Sequence, residues 1–209
     1  MNSATESLIL QGPAGAIEAL LDRPAAGQAL RGTAVIAHPH PLFGGTMDNK
    51  VVQTLARACV QTGWQALRFN FRGVGASQGV HDGGVGETDD LLALISAQAS
   101  GGPLVLAGFS FGAFVTCQAL ARLMPERPPE RVVLVGTAAS RFVVPALAPE
   151  LHEAALVLHG EHDDTVPLTS VLDWARPQHL PVTVIPGVEH FFHGQLPLLK
   201  SLVVRHLQA

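Results

Sequence analysis

The chain has 209 residues, 13 basic against 17 acidic, for a net charge of −4. Charged residues make up 14% and hydrophobic ones 47%, against about 25% charged in an average soluble domain. So apolar and weakly charged a chain is not disordered, and its mildly acidic balance lacks the basic patch that a nucleic-acid partner requires. The length suits a single domain spanning 1–209.

Taken in chain order, two strand-like runs, Ser7–Gln11 and Ala16–Asp22, flank Gly12–Gly15 and read as a hairpin. Thr33–Ala37 is a strand. Asp48–Thr62 carries helical apolar spacing at Val51, Val52, Leu55, Ala56 and Cys59. Gln65–Phe71 is a strand. Thr88–Ala99 is a helix with Asp89 and Asp90 in its first turn, where they suit the helix dipole. Leu104–Ala107 is a strand and Phe111–Met124 a helix. Arg131–Val135 and Ala155–His159 are strands, Leu168–Ala175 a short helix, Val182–Ile185 a strand and Leu196–Leu207 a final helix. This β/α alternation of nearly all-apolar strands implies a mostly parallel sheet of about eight strands with helices on both faces.

Leu91–Ala121 contains no Asp, Glu, Lys or Arg, and a membrane span needs only about 20 apolar residues. Gly101, Gly102 and Pro103 interrupt it, however, and a continuous helix does not accommodate that trio. The stretch therefore reads as helix, buried strand and helix, and no membrane partner is expected. Cys59 and Cys117 both fall in apolar helical stretches and are expected as buried free thiols. The start, MNSATESLIL, has no basic segment followed by an apolar one, so a cytoplasmic protein is expected.

Gly108-Phe109-Ser110-Phe111-Gly112 is a G-x-S-x-G motif, which chance places in roughly one chain in ten of this composition. Its context is more telling. It follows an apolar strand and precedes a helix, as a nucleophile elbow requires. Such a turn exposes the serine at the carboxyl edge of the sheet, and the helix N-terminus behind it favours negative charge. The Phe111 N–H then becomes one oxyanion donor. A serine nucleophile needs a base, and the base needs an orienting acid, in the chain order serine, acid, histidine. Asp163 and Asp164 follow the strand Ala155–His159. His190 and His193 follow the last strand.

These pieces together resemble the α/β-hydrolase superfamily over nearly the whole chain. The elbow GFSFG is one. HGEHDDTVP resembles the family's H-G-x-x-D-x-x-V-P acid loop, and GVEHFF its histidine loop. Asn70-Phe71-Arg72-Gly73-Val74-Gly75-Ala76-Ser77-Gln78-Gly79 resembles the D-x-R-G-x-G-x-S-x-G segment, with Asn70 in place of the usual Asp. His38-Pro39-His40-Pro41-Leu42-Phe43-Gly44-Gly45-Thr46-Met47-Asp48-Asn49 is similar to a small subgroup of bacterial serine hydrolases related to dienelactone hydrolases. The resemblance implies Ser110 as nucleophile, Asp163 as acid and His190 as base, in an α/β-hydrolase fold. Asp164 and His193 are the neighbouring alternatives. Pro39 and Pro41 have no N–H, so the second oxyanion donor is expected from His40 or Leu42.

Other readings of the same residues are weaker. His38 and His40, then His159, His162, Asp163 and Asp164, then His190 and His193 form three clusters, but no H-E-x-x-H motif is present, and no metal is expected. The glycines at 73, 75 and 79 miss G-x-G-x-x-G by one residue, so no nucleotide cofactor is expected. His38 reads as a structural loop residue, and His81, His152, His179 and His206 as surface residues. A hydrolase-fold binding module without activity is opposed by the intact serine, acid and histidine set. Val135 to Ala155 is too short a connection for a lid or cap domain. The expected activity is therefore hydrolysis of small carboxylic esters through an acyl-enzyme, with thioesters and small lactones open to the same machinery. Phe191 and Phe192 are expected to line the substrate pocket. The sequence carries no indication of oligomeric state.

Overall fold

The computed structural model describes residues 5–209. Eight strands form one sheet: β1 (Thr5–Gly12), β2 (Gly15–Asp22), β3 (Gly32–Ala37), β4 (Trp64–Phe69), β5 (Leu104–Phe109), β6 (Arg131–Val135), β7 (Ala155–Gly160) and β8 (Val182–Ile185). Their order across the sheet is β1-β2-β4-β3-β5-β6-β7-β8. The hairpin β1–β2 and the pair β2–β4 are antiparallel. Every pairing from β4 through β8 is parallel.

Five α-helices cover the sheet: α1 (Lys50–Gln61), α2 (Val85–Gln98), α3 (Phe111–Leu123), α4 (Leu168–Ala175) and α5 (Leu196–Gln208). Successive side chains of a strand face opposite ways, and this sorts the core into two layers. Val35, Leu104 and Leu106 pack with Leu91, Leu94 and Val115 of α2 and α3. Ile36, Val105 and Phe109 pack on the other face with Leu55 of α1 and Leu199 of α5. All six residues of β5 are buried. The charge-free stretch Leu91–Ala121 is thus the rest of α2, the central strand and most of α3. Among the described residues no helix is long and apolar enough to cross a membrane.

Most element boundaries lie within two residues of expectation. The exception is α2, which begins at Val85 rather than Thr88. Glu87 reaches back to accept the Gly84 N–H at 2.8 Å, which starts the helix one turn early. Asp89 and Asp90 therefore lie in the second turn and not against the dipole. Asp90 takes the Arg72 guanidinium at 2.8 and 2.9 Å, and Asp89 pairs with Arg122 at 2.6 Å. Cys59 and Cys117 are free and buried.

The connectivity places the site. From β3 the chain crosses through α1 to β4 on one side, and from β5 it crosses through α3 to β6 on the other. The reversal opens a crevice at the carboxyl ends of β3 and β5, the usual ligand position in such sheets.

Candidate active site

Ser110 stands at this crevice, at the junction of β5 and α3. Its backbone has φ 57 and ψ −117, a conformation that costs a non-glycine residue about 1–3 kcal/mol. The turn is held by its neighbours. Ser110 N–H donates to the Val135 carbonyl at 2.8 Å, and its own carbonyl accepts from Ala113 and Phe114 in α3. The flanking glycines permit the crossing, because a Cβ on Gly108 would strike the Gly112 carbonyl and one on Gly112 the Ala37 carbonyl. Ser110 is the N-cap of α3, yet its hydroxyl makes no capping bond.

The hydroxyl instead meets His190. Ser110 Oγ lies 3.0 Å from His190 Nε2, and His190 Nδ1 lies 2.6 Å from Asp163 Oδ2. The other carboxylate oxygen, Oδ1, accepts the N–H groups of Thr165 at 3.0 Å and Val166 at 2.7 Å. A carboxylate only accepts, so the proton of the imidazole sits on Nδ1. Nε2 is then free to accept from the serine hydroxyl. The loops after β5, β7 and β8 bring these residues together, and all three are buried. His190 also packs on the Phe109 ring at 4.9 Å.

The neighbouring alternatives lie elsewhere. Asp164 is exposed and accepts from Thr165 Oγ1 at 3.4 Å. His193 is exposed and pairs with Glu189 at 2.5 Å. His162 is exposed beside Glu161. Asp164, His162 and His193 thus leave the site, while His159 Nε2 stays 3.6 Å from Asp163 Oδ2, and among the described residues no group of three or more His, Cys, Asp or Glu is placed to hold a metal ion.

No protein-family model matches the chain. It is 34% identical over 204 residues to an uncharacterized protein of Rickettsia prowazekii (RP471), covering 88% of this chain and 81% of that one. Among solved structures it is similar to XC6422 of Xanthomonas campestris, described as an α/β serine hydrolase without lid. There the identity is 35%, the TM-score is 0.88, and 100% of this chain and 95% of that one are covered. It is also similar to an α/β serine hydrolase homologue of Coxiella burnetii, at 38% identity and TM-score 0.81, covering 99% and 98%. The chain belongs to the α/β serine hydrolases.

XC6422 is described as without lid, and among the described residues this hydrolase likewise has no lid, β6 and β7 being joined by residues 136–154 alone. A cavity of about 310 Å³ opens over Ser110 and His190, walled by Phe43, Phe111, Phe142 and Phe191, with His40 and Arg141 also lining it. A larger groove of about 760 Å³ lies elsewhere and contains none of Ser110, Asp163 and His190. Polar, and lined by Asp22, Arg57 and Arg68, it contains no histidine, and its Thr5 hydroxyl donates to Asp22 at 2.6 Å.

Two expected site residues are not at the cavity. Phe192, expected as pocket lining, is fully buried and packs with Leu199 and Val203 of α5. Its backbone takes φ 56, which turns the ring inward while Phe191 remains at the rim. Leu42, expected as a possible oxyanion donor, has its N–H directed at His40 Nδ1 at 3.3 Å, and its side chain is exposed.

Residues behind the front line support it. His38 accepts the Phe71 N–H on Nε2 at 2.9 Å and donates from Nδ1 to the Pro39 carbonyl at 2.6 Å. Burial lowers its pKa to about 4, so it is neutral there. His159 donates from Nε2 to the Val166 carbonyl at 2.9 Å, bracing the loop whose amides hold Asp163. Burial also lowers the His159 pKa, against the opposing pull of Asp163. The sequence grouped His159 with possible metal ligands. Its position four residues before Asp163, at the end of β7, was the feature that could have marked this role.

His81, expected on the surface, is mostly buried. Its Nδ1 lies 2.7 Å from a carboxylate oxygen of the fully buried Glu87, and its ring is 4.8 Å from His40 and 5.4 Å from Phe111. His206 is half-buried too, with Nε2 3.1 Å from the Ala154 carbonyl. Asn70 accepts from the Met47 N–H and donates to Glu18 Oε2 at 2.8 Å. The amide thus both accepts and donates, whereas an Asp there would set two carboxylates against each other.

Proposed function

We propose that this hydrolase cleaves small carboxylic esters through an acyl-enzyme on Ser110, with His190 as general base and Asp163 as its orienting acid. The supporting observation is the unbroken hydrogen-bond chain from Ser110 Oγ through His190 to Asp163, set at the floor of an apolar cavity. Ser110 Oγ attacks the ester carbonyl while His190 Nε2 takes its proton. Asp163 holds the imidazole in the tautomer that can accept, and then stabilises the imidazolium.

The tetrahedral oxyanion is held by backbone N–H groups. Phe111 begins α3, so it has no carbonyl one turn back inside the helix to satisfy its N–H. The His40 N–H, on the loop after β3, is the second donor. With the Leu42 N–H directed at the His40 ring, His40 is the better of the two expected candidates. His190 next protonates the leaving alcohol and then activates the water that releases the acid. A cavity of about 310 Å³ is at the lower end of small-molecule sites and suits short soluble esters.

The test is a panel of p-nitrophenyl esters of graded acyl length, together with a fluorophosphonate label. Wild-type protein is expected to hydrolyse the short esters and to take one label at Ser110. Ser110→Ala is expected to fold normally and to lose kcat by at least about 10³-fold. Comparable turnover in that variant would overturn the assignment.

A further inference from the structure

Every wall of the cavity is apolar or neutral except at one place. Phe43, Phe111, Phe142 and Phe191 surround it, and none of its lining residues is Asp or Glu. Arg141 stands at its rim, exposed, with its guanidinium carbon 6.0 Å from the centre of the Phe43 ring. Acids outnumber bases in this chain by 17 to 13. Arg23, Arg31, Arg68, Arg72, Arg122 and Arg176 each meet a carboxylate. Arg57, Arg127, Arg131, Arg141 and Arg205 lie in no ion pair among the described residues, and of these Arg141 alone lines the cavity.

Its backbone is anchored. Arg141 and Phe142 both donate to the Ala138 carbonyl at 3.2 Å, and Phe142 stacks on Phe114 with centroids 4.5 Å apart. The cation is therefore carried by a built turn, which reduces the ordering cost of binding. Burial and His81 lower the pKa of His40 against the opposing pull of Glu87, and Arg141 adds a smaller lowering in the same direction. A planar guanidinium beside aromatic walls matches a carboxylate in bidentate geometry. An ammonium group in the same cavity would face Arg141 with no acid among the lining residues to receive it.

We propose that the preferred substrates are esters bearing a carboxylate, and that Arg141 is the residue that binds it. This rests on the ester-hydrolase reading above. The carboxylate belongs either to the acyl portion or to the alcohol portion, and paired substrates distinguish the two. Mono-p-nitrophenyl adipate is compared with p-nitrophenyl hexanoate, and 4-carboxyphenyl butyrate with phenyl butyrate. In at least one pair the wild-type protein favours the anionic member in kcat/KM.

In that pair, Arg141→Gln lowers the anionic-to-neutral ratio about five- to tenfold, Arg141→Lys keeps part of it, and Arg141→Glu inverts it. Raising the salt to about 0.5 M narrows the wild-type ratio, because an exposed charge is screened. Fluorophosphonate labelling of Ser110 is followed in every variant. If Ser110 takes no label in the folded wild type, the serine-hydrolase reading fails and this proposal with it. If it labels normally but neither pair shows an anionic preference, or the preference survives Arg141→Gln, the carboxylate assignment alone is overturned.

Discussion

Replacing Asp163 with Asn changes one atom and tests the whole hydrogen-bond chain. Asp163 Oδ1 is held by two backbone N–H groups, at 3.0 and 2.7 Å. An Asn side chain can keep them only by placing its carbonyl oxygen there. The flipped orientation would point the NH₂ at two donors and leave both unsatisfied, at about 1–3 kcal/mol each. The amide is therefore locked with its NH₂ at the Oδ2 position, 2.6 Å from His190 Nδ1. Nδ1 must then accept, and the imidazole proton moves to Nε2, facing Ser110. A base already protonated on that side cannot take the serine proton. The expected loss is about 10⁴-fold in kcat, or about 5 kcal/mol of transition-state stabilisation. Asp164→Asn, at an exposed position, changes kcat less than about twofold. The assay is p-nitrophenyl ester turnover, with circular dichroism to confirm that both variants fold. If Asp163→Asn keeps a tenth of the wild-type rate, or Asp164→Asn suffers the severe loss, the assignment is wrong.

Other outcomes follow from single positions. His38 titrates near 6.5 when unfolded and at about 4 when folded, so the unfolded chain binds a proton that the native one refuses. It costs no stability above pH 6.5, and the loss grows as the pH falls, reaching about 3 kcal/mol near pH 4; in urea melts at pH 7, 5.5 and 4.5, His38→Gln should show a shallower acid loss than wild type. Gly136→Ala puts a Cβ 3.1 Å from His190 Cε1 at a φ of 54, so a fall in kcat of about tenfold and a loss of about 1 kcal/mol in stability should appear in kinetics and melts. Burial pushes the Cys59 thiol up to about 12 and the Cys117 thiol higher still. A thiol reagent should therefore label neither in the native protein and both after unfolding.

How much of this was legible in the sequence differs from element to element. The β/α alternation, the elbow around Ser110 and the loops bearing Asp163 and His190 are local patterns. Each depends on a short run of apolar residues closed by glycine, and such runs report their own structure. The start of α2 was misread because Glu87 caps backward, a choice made between residues three apart. Phe191 and Phe192 are adjacent and chemically alike, so nothing in the sequence separates the rim from the core. The left-handed backbone at Phe192 separates them. His81 looked like a surface residue because Glu87, its partner, is identified only once α2 has packed.

The sequence by itself determined the order of strands and helices, the lidless connection after β6, and the residue types that acyl transfer needs. Those are properties of neighbouring residues and of spacing. Tertiary structure decided which aspartate and which histidine meet Ser110, that the Leu42 N–H is directed at the His40 ring, and that Arg141 stands without an acid beside an aromatic cavity. The meeting of Ser110, His190 and Asp163, and of Arg141 with Phe43, joins loops that are distant in the chain, and the sheet brings their ends together; the Leu42 contact is local and depends on the turn at Pro41–Phe43.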